Sequence, residues 1–201
     1  MLDRAARRLA DPALNRMGAV LAGAGVSADS VTVVGFVLGL GAAAVIAVQL
    51  YWVGLILVVA SRLCDGLDGP VARHSVVTDR GGFLDIVLDF AFYGAVPLGF
   101  VFAAPDANAV AGAVLIFSFY ANGASFLAFA VMAERRKLTS AARGPKSLYF
   151  TAGLAEGTET ILVFCLFCIF PGAFVPIAYM FAALTLVTTV SRIALATRSF
   201  G

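Results

Sequence analysis

Four aspartates stand in two otherwise apolar stretches of this sequence. Asp65 and Asp68 are three residues apart and Asp85 and Asp89 are four apart, so each pair lies on one face of a helix. Four carboxylates on two facing helices repel one another unless cations lie between them. Oxygen ligands without histidine or thiolate suit Mg²⁺ or Mn²⁺. We therefore predict a site for two divalent cations, which would in turn attract a phosphate or pyrophosphate group.

The residues around the aspartates fit a phosphate ligand. Gly66, Gly69 and Ala72 are small and leave room for close approach, and Arg73 follows with a guanidinium suited to phosphate oxygens. The alternative is a buried ion-pair network in which Arg73 and Arg62 neutralise the aspartates. Two arginines against four carboxylates would leave an excess of negative charge, so the cation site is favoured.

The elements that position these residues are helices in a membrane. Of the 201 residues, 61% are hydrophobic and only 13% are charged, whereas a soluble domain carries about twice that charge. This composition excludes a soluble enzyme, a disordered tail and a secreted disulfide scaffold. The net charge of +2, without a basic run interleaved with aromatics, does not indicate a nucleic-acid partner. We predict an all-α integral membrane protein, in which an acidic residue within a span indicates function.

The hydropathy pattern predicts one domain over residues 1–201. Six apolar stretches are each near the length that crosses a bilayer, and they cover residues 30–50, 52–73, 82–104, 109–133, 147–170 and 174–196. They form a predicted six-helix bundle over residues 30–196. Residues 1–28 are predicted to be an amphipathic juxtamembrane leader that anchors the chain at the interface, with Leu2, Leu9, Ala13 and Met17 on one face. The dipeptide Asp11-Pro12 is typical of a helix start.

The positive charges predict the orientation. All 14 lysines and arginines fall in the leader, at span ends on one side, or in the two long basic breaks on that same side. By the positive-inside rule both termini and the aspartates face the cytoplasm. We expect a prokaryotic cytoplasmic (inner) membrane protein.

Written out, the two stretches resemble a family signature. Asp65-Gly-Leu-Asp68-Gly69-Pro-Val-Ala72-Arg73 is followed by Gly81-Gly-Phe-Leu-Asp85-Ile-Val-Leu-Asp89. The CDP-alcohol phosphatidyltransferases carry D-x-x-D-G-x-x-A-R, a spacer usually of eight residues, and G-x-x-x-D-x-x-x-D. Every fixed residue is present, and the one departure is a spacer of seven residues, 74–80, outside the ligand set. The family's upstream Asn-x-x-Thr element has a likeness at Asp29 and Thr32, with aspartate in place of asparagine.

The resemblance implies a phosphatidylglycerophosphate synthase-like enzyme of phospholipid biosynthesis. Such an enzyme transfers a phosphatidyl group from CDP-diacylglycerol to the hydroxyl of a small alcohol and releases CMP. In the family the first three aspartates hold two divalent ions, Mg²⁺ or Mn²⁺, and the fourth, which also belongs to the metal site, is the general base. The resemblance also implies a homodimer. Carried over by position, the metal set is Asp65, Asp68, Asp85 and Asp89, the base is Asp89, and the donor site is Asp29, Thr32, Asp65, Asp68, Gly69, Ala72 and Arg73.

The acceptor alcohol is less sharply indicated. Basic residues in relatives that use glycerol 3-phosphate or inositol phosphate bind the acceptor's phosphate, and the matching candidates here are Arg136, Arg143, Lys146 and Arg192. Orientation alone also requires cytoplasmic basic loops. Glu156 and Glu159 suggest the alternative of a non-phosphorylated or amino alcohol, because choline- and ethanolamine-phosphotransferases carry a loosely similar run. The two glutamates could instead form ion pairs with Arg192.

Two other classes of function, a divalent-cation transporter and a non-catalytic scaffold, fit the sequence less well than a transferase. Four membrane carboxylates could carry a divalent cation in a transporter, but transporters usually show related halves and broken helices near the midplane. The Gly-x-x-Ala-Arg element also has no use in one. A non-catalytic scaffold predicts a damaged signature, and all four aspartates are present. Elsewhere, Gly35-x-x-x-Gly39 predicts close helix packing, and Ser118, Asn122 and Ser125 predict interhelical hydrogen bonds.

Overall fold

The protein is helical throughout the part of the chain that the structure describes. The computed structural model describes the backbone of residues 2–136 and 157–200 and the side chains of residues 11–136 and 157–200. Seven α-helices lie in these ranges, with a 3-10 helix at Pro171–Ala173, and no strand occurs among them. The all-α prediction is confirmed. The helices are α1 Leu2–Gly23, α2 Ala28–Ala47, α3 Tyr51–His74, α4 Asp79–Ala103, α5 Pro105–Arg135, α6 Gly157–Ile169 and α7 Phe174–Phe200.

Helix length and composition support the membrane prediction. Four helical segments among the described residues are long and apolar enough to cross a bilayer: α2, α4, α5 and residues 171–200. Helix α3 has 24 residues, but from its middle onward it carries Arg62, Asp65, Asp68 and Arg73. The described part of α6 has 13 residues and is apolar, and the predicted start of this span at residue 147 lies outside the described residues. The count of six spans stays a prediction.

Helix α2 is packed closely between α3 and α4. A Cβ atom at Gly35 would lie 2.9 Å from Cys64 Cβ on α3, and one at Gly39 would lie 2.5 Å from a ring carbon of Phe92 on α4. Both contacts are closer than a side chain allows, so the two glycines let the helices approach. The packing predicted for Gly35-x-x-x-Gly39 is confirmed. These three helices carry the signature residues.

The leader differs from the prediction in one respect. Helix α1 runs without interruption through Pro12, so Asp11-Pro12 does not start a helix. A proline inside a helix forgoes one backbone hydrogen bond, and here the helix continues despite that loss. Met17 on the predicted apolar face is 51% exposed. The packed face is the one with Leu14 and Gly18, which lies against α3 at Gly66 and Pro70.

The aromatic part of the apolar core lies among α4, α6 and α7. Five phenylalanines on these helices are fully buried and stack or tilt against one another: Phe92, Phe100, Phe164, Phe167 and Phe174. Phe92 is the member of this cluster next to the signature residues. The core therefore continues directly into the wall of the candidate site.

Candidate functional site

Helices α3 and α4 bring three of the four signature aspartates together. Oxygen atoms of Asp65, Asp68 and Asp85 all lie within 4.8 Å of one another. The short connection between His74 and Asp79 brings the end of α3 near the start of α4, and α2 packs against both helices. Side chains one turn apart on each helix then meet at the same depth. The predicted meeting of the two aspartate pairs is confirmed for this three-carboxylate cluster.

Both carboxylate oxygens of Asp68 are fixed by hydrogen bonds. The Thr32 hydroxyl on α2 lies 2.8 Å from Oδ2, and the backbone N–H of Gly69 donates to Oδ1 at 2.6 Å. Asp68 is 9% exposed. A carboxylate held at both oxygens cannot rotate freely, so its orientation toward the cluster is set before any ligand arrives. Thr32, predicted from a weak upstream likeness, thus contacts the cluster directly.

The fourth aspartate has a different partner. Asp89 forms an ion pair with Nη1 of Arg62, which also lies 3.3 Å from Asp65 Oδ1. The Arg62 side chain is only 12% exposed, and its guanidinium lies 3.8 Å from the centre of the Phe92 ring. Its Nη2 donates to the Ser61 hydroxyl at 3.2 Å. Arg62 therefore joins the base candidate to the three-carboxylate cluster.

From the sequence, Arg62 is expected only as a member of the alternative ion-pair network. The structure places it inside the site, at the deeper end of the four carboxylates. The sequence did contain a signal for this role. Arg62 lies in an apolar helix three residues before Asp65, which places both side chains on the same helix face. One guanidinium against four carboxylates still leaves surplus negative charge, as predicted.

Asp29 lies where α4 begins. Its Oδ2 is 3.7 Å from Nε of Arg80, and a Cβ atom at Gly81 would lie 3.0 Å from its Oδ1. The Thr78 hydroxyl caps α4 by accepting the backbone N–H of Gly81 at 3.0 Å. Gly81 of the signature is therefore small because Asp29 and the capping residue crowd it.

Arg73 ends the signature on α3 and is tied to the leader. Its Nη2 donates to Oδ1 of Asn15 on α1 at 2.8 Å, and its Nη1 would lie 3.5 Å from a Cβ atom at Gly69. Gly69 and Arg73 thus share one face, as a donor site requires, and Ala72 beside them is half-buried. A Cβ atom at Gly66 would lie 3.4 Å from Leu14 of α1, which is an ordinary contact, so the space for a ligand at Gly66 stays a prediction.

A small cavity opens beside the carboxylates between α2, α3 and α4. It is lined by Thr32, Gly35, Phe36, Arg62, Asp65, Asp85, Leu88 and Asp89. Carboxylate oxygens without a nearby nitrogen or sulfur ligand suit a hard divalent cation. The residues present therefore fit Mg²⁺ or Mn²⁺, with a pre-oriented ligand in Asp68 and a surplus of negative charge.

Arg192 on α7 lies in a different setting from the one expected of an acceptor-binding residue. It is 7% exposed, and its Nη1 donates to the backbone oxygen and Oδ1 of Asn122 and to the Ser125 hydroxyl, at 2.7–3.0 Å. The interhelical hydrogen bonding predicted for Asn122 and Ser125 is confirmed. It is wrong for Ser118, whose hydroxyl donates to Leu115 of its own helix.

The remaining acceptor candidates are only partly described. Arg136 follows α5 and donates to the backbone oxygens of Ser199 and Phe200 at the end of α7. Glu159 lies in the first turn of α6 with its Oε2 atom buried. The other three, Arg143, Lys146 and Glu156, lie outside the described residues.

Comparisons with known proteins agree with the signature. The family model for CDP-alcohol phosphatidyltransferase matches residues 26–195. Inner membrane protein YnjF of Escherichia coli (strain K12) is 46% identical over 193 residues, which are 96% of this chain and 94% of that protein. The crystal structure of Mycobacterium tuberculosis phosphatidylinositol phosphate synthase (PgsA1) with CDP-DAG bound matches with a TM-score of 0.65. That match covers 90% of this chain and 92% of the other at 20% identity, and it establishes a shared fold.

Proposed function

This chain belongs to the CDP-alcohol phosphatidyltransferases, and on that premise we propose that it transfers a phosphatidyl group from CDP-diacylglycerol to the hydroxyl of a small polar alcohol. CMP is the second product. The observation that carries the proposal is the three-carboxylate cluster of Asp65, Asp68 and Asp85, with oxygens within 4.8 Å of one another. Arg73 on the same helix supplies the cation next to it that a diphosphate requires.

The cluster would hold two divalent cations, Mg²⁺ or Mn²⁺. Asp65, Asp68 and Asp85 are the proposed ligands, and the family pattern adds Asp89. When bound, the metals neutralise charge on the diphosphate and on the leaving phosphate. The hydrogen bonds from Thr32 and Gly69 hold Asp68 in place for this role.

Asp89 is the proposed general base. Its carboxylate lines the cavity between α2, α3 and α4, where an acceptor hydroxyl can enter. Asp89 accepts the proton of that hydroxyl, and the oxygen forms a bond to the lipid-linked phosphorus as the bond to the CMP oxygen breaks. The proton stays on Asp89 until solvent removes it, so atoms and charge balance.

The donor's cytidine diphosphate would lie along the cytoplasmic end of α3. Gly69 and Ala72 leave space there, and Arg73 offers its guanidinium to the diphosphate. Asp29 and Thr32 lie on α2, and Asp65 and Asp68 would hold the metals that neutralise the charge of this diphosphate. The structure of the Mycobacterium tuberculosis synthase with CDP-DAG bound has the same fold, which supports this assignment.

The acceptor is proposed to be glycerol 3-phosphate or a similar phosphorylated polyol. Arg143 and Lys146 are the basic residues on which this proposal now mainly depends, because Arg192 hydrogen-bonds Asn122 and Ser125 and Arg136 binds the end of α7.

A second candidate is an amino alcohol. Glu159 places a buried carboxylate oxygen in the first turn of α6. The same turn approaches the site, since a Cβ atom at Gly157 would lie 3.6 Å from the Tyr93 hydroxyl on α4. A carboxylate on a helix turn this close to α4 would favour an ammonium group over a phosphate.

The proposed location is the bacterial inner membrane, with the site facing the cytoplasm and two copies forming a homodimer. The name of the Escherichia coli relative supports the location. The distribution of all 14 positive charges supports the orientation.

The test is a panel of donors and acceptors with purified protein and Mn²⁺ or Mg²⁺. CMP release is measured, and the lipid product is identified by mass spectrometry for glycerol 3-phosphate, inositol phosphate, ethanolamine and choline. Asp89→Asn should abolish release while metal-dependent donor binding persists. Asp106→Asn, on an exposed aspartate at the start of α5, is the matched control and should behave as wild type. Metal uptake into vesicles with no CMP from any pair would replace the transferase by a transporter.

A further inference from the structure

Arg62 lies at the junction between the proposed base and the proposed metal ligands, although its position precedes the fixed residues of the family signature. Its Nη1 contacts carboxylates from two helices, Asp65 on α3 and Asp89 on α4. No other arginine or lysine among the described residues makes an ion pair with any of the four signature aspartates.

The Arg62 side chain is held on several sides. Its guanidinium stacks over the Phe92 ring at 3.8 Å, and its Nη2 donates to the Ser61 hydroxyl. Ser61 in turn donates to the backbone oxygen of Gly35 on α2 at 2.7 Å and is fully buried. Contacts from α2, α3 and α4 therefore fix the position of the Arg62 guanidinium. A fixed guanidinium in turn restricts the motion of the Asp89 carboxylate that its Nη1 contacts.

We propose that Arg62 is a positioning residue that holds the Asp89 carboxylate in the orientation needed to accept the acceptor's proton. Nη1 engages Oδ1 of Asp89, and a carboxylate has lone pairs left for a second donor. The Tyr93 hydroxyl on α4 also hydrogen-bonds the Asp89 carboxylate, and the lone pairs that remain can accept a hydrogen bond from the acceptor hydroxyl in the cavity that Arg62 and Asp89 line. This inference rests on the proposed function, because it assigns Arg62 a task in that reaction.

The geometry also explains why the residue is an arginine. The guanidinium is planar, so it can stack on Phe92 while its fork reaches Asp89 and Ser61 at the same time. A lysine ammonium keeps the charge but has neither the plane nor the fork. Arg62→Lys therefore tests whether a positive charge alone is enough, or whether the planar guanidinium is needed to hold Asp89.

The experiment measures kcat, donor KM and Mn²⁺ binding for Arg62→Ala, Arg62→Lys and wild type. A displaced general base costs on the order of 100-fold in rate, so kcat of Arg62→Ala should fall about 100-fold. We expect donor KM and Mn²⁺ affinity to stay within a fewfold of wild type, since the three-carboxylate cluster is intact. Arg62→Lys should retain the fold and show an intermediate kcat. Arg198→Ala, at an exposed position in the last turn of α7, is the matched control.

Chemical rescue separates positioning from packing. Millimolar guanidinium added to Arg62→Ala should restore kcat at least severalfold, whereas urea, which has the same shape without the charge, should not. Equal rescue by urea, or kcat of Arg62→Ala and Arg62→Lys equal to wild type, would overturn the role of Arg62 and leave the transferase intact. Loss of Mn²⁺ and donor binding in the folded Arg62→Lys protein would also overturn it. A wild-type protein that releases no CMP would instead contradict the proposed function itself.

Discussion

Two nearly buried arginines in this protein have opposite kinds of partner. Arg62 on α3 pairs with the carboxylates of Asp65 and Asp89, whereas Nη1 of Arg192 on α7 donates to the amide of Asn122 and the hydroxyl of Ser125. Each lies near an aromatic ring, at 3.8 Å for Arg62 over Phe92 and at 5.6 Å for Arg192 over Phe126. Burial and residue type therefore do not distinguish a site arginine from a packing arginine.

The chemistry of the partners makes the distinction. Neutral partners solvate the Arg192 guanidinium and tie α7 to α5, which is a structural task. Charged partners at Arg62 are themselves the reactive groups of the proposed mechanism, so its position affects theirs. In the half of the molecule formed by α2, α3 and α4, the buried arginine forms ion pairs. In the half formed by α5 and α7, the buried arginine forms hydrogen bonds to neutral groups.

The largest expected effect comes from removing charge in the first half. Asp68→Asn keeps the hydrogen bond with Thr32 but removes a metal ligand, and the loss of several kcal/mol of transition-state stabilisation corresponds to about 1000-fold in CMP release. Mn²⁺ binding, followed by electron paramagnetic resonance, should weaken in parallel. Asp11→Asn, on an exposed aspartate of α1, should leave both unchanged. Full activity of Asp68→Asn would remove Asp68 from the metal site.

The second-largest effect is expected for Arg192, in the half of the molecule formed by α5 and α7. Arg192→Met removes the hydrogen bonds from Nη1 to Asn122 and Ser125 and should lower the free energy of unfolding by about 3 kcal/mol. The loss should appear as a lower thermal unfolding temperature in detergent, with acceptor KM little changed. Arg198→Met is the exposed control. An unchanged unfolding temperature with a tenfold higher acceptor KM would restore Arg192 as an acceptor-binding residue.

A third variant changes the packing around the Arg62 guanidinium and leaves its charge unchanged. Gly39→Ala places a Cβ atom 2.5 Å from the Phe92 ring, and crowding of this kind costs about 2 kcal/mol. Because Phe92 carries the Arg62 guanidinium, kcat should fall together with stability. Gly94→Ala is the matched control, since nothing lies within 4 Å of its Cβ position, and it should be neutral or slightly stabilising. If both variants behave alike in thermal unfolding and CMP release, the close packing has no effect on the site.

The smallest effect concerns Arg73, an exposed arginine with one neutral partner. Asn15→Ala removes the hydrogen bond at 2.8 Å from α1, which is worth about 1 kcal/mol. Donor KM should therefore rise about fivefold with kcat unchanged. Asn15→Asp keeps an acceptor for Arg73 and should restore donor KM to near the wild-type value. A donor KM unaffected by Asn15→Ala would limit the leader to anchoring.

The sequence allowed the meeting of the aspartates to be predicted because it depends on local periodicity. Asp65 and Asp68 share a helix face by spacing alone, and the short turn before Asp79 brings the start of the next helix near the end of this one. The ion pair of Arg62 with Asp89 could not be predicted from the sequence, because the two residues are 27 positions apart. Their contact depends on the rotation of α4 relative to α3. The approach of Leu14 on α1 to Gly66 did not follow either, since nothing in that segment of α3 indicates that α1 lies against it.

By itself the sequence determined a helical membrane protein, the family, and the identity of the aspartates at its site. Each of these follows from composition, hydrophobic period and a motif within 25 residues. Only the tertiary structure decided that Arg62 holds Asp89, that Nη1 of Arg192 binds Asn122 and Ser125 on α5, and that Asn15 reaches Arg73. The physical reason is range, because a helix sets which residues share a face but only packing between helices sets what that face meets.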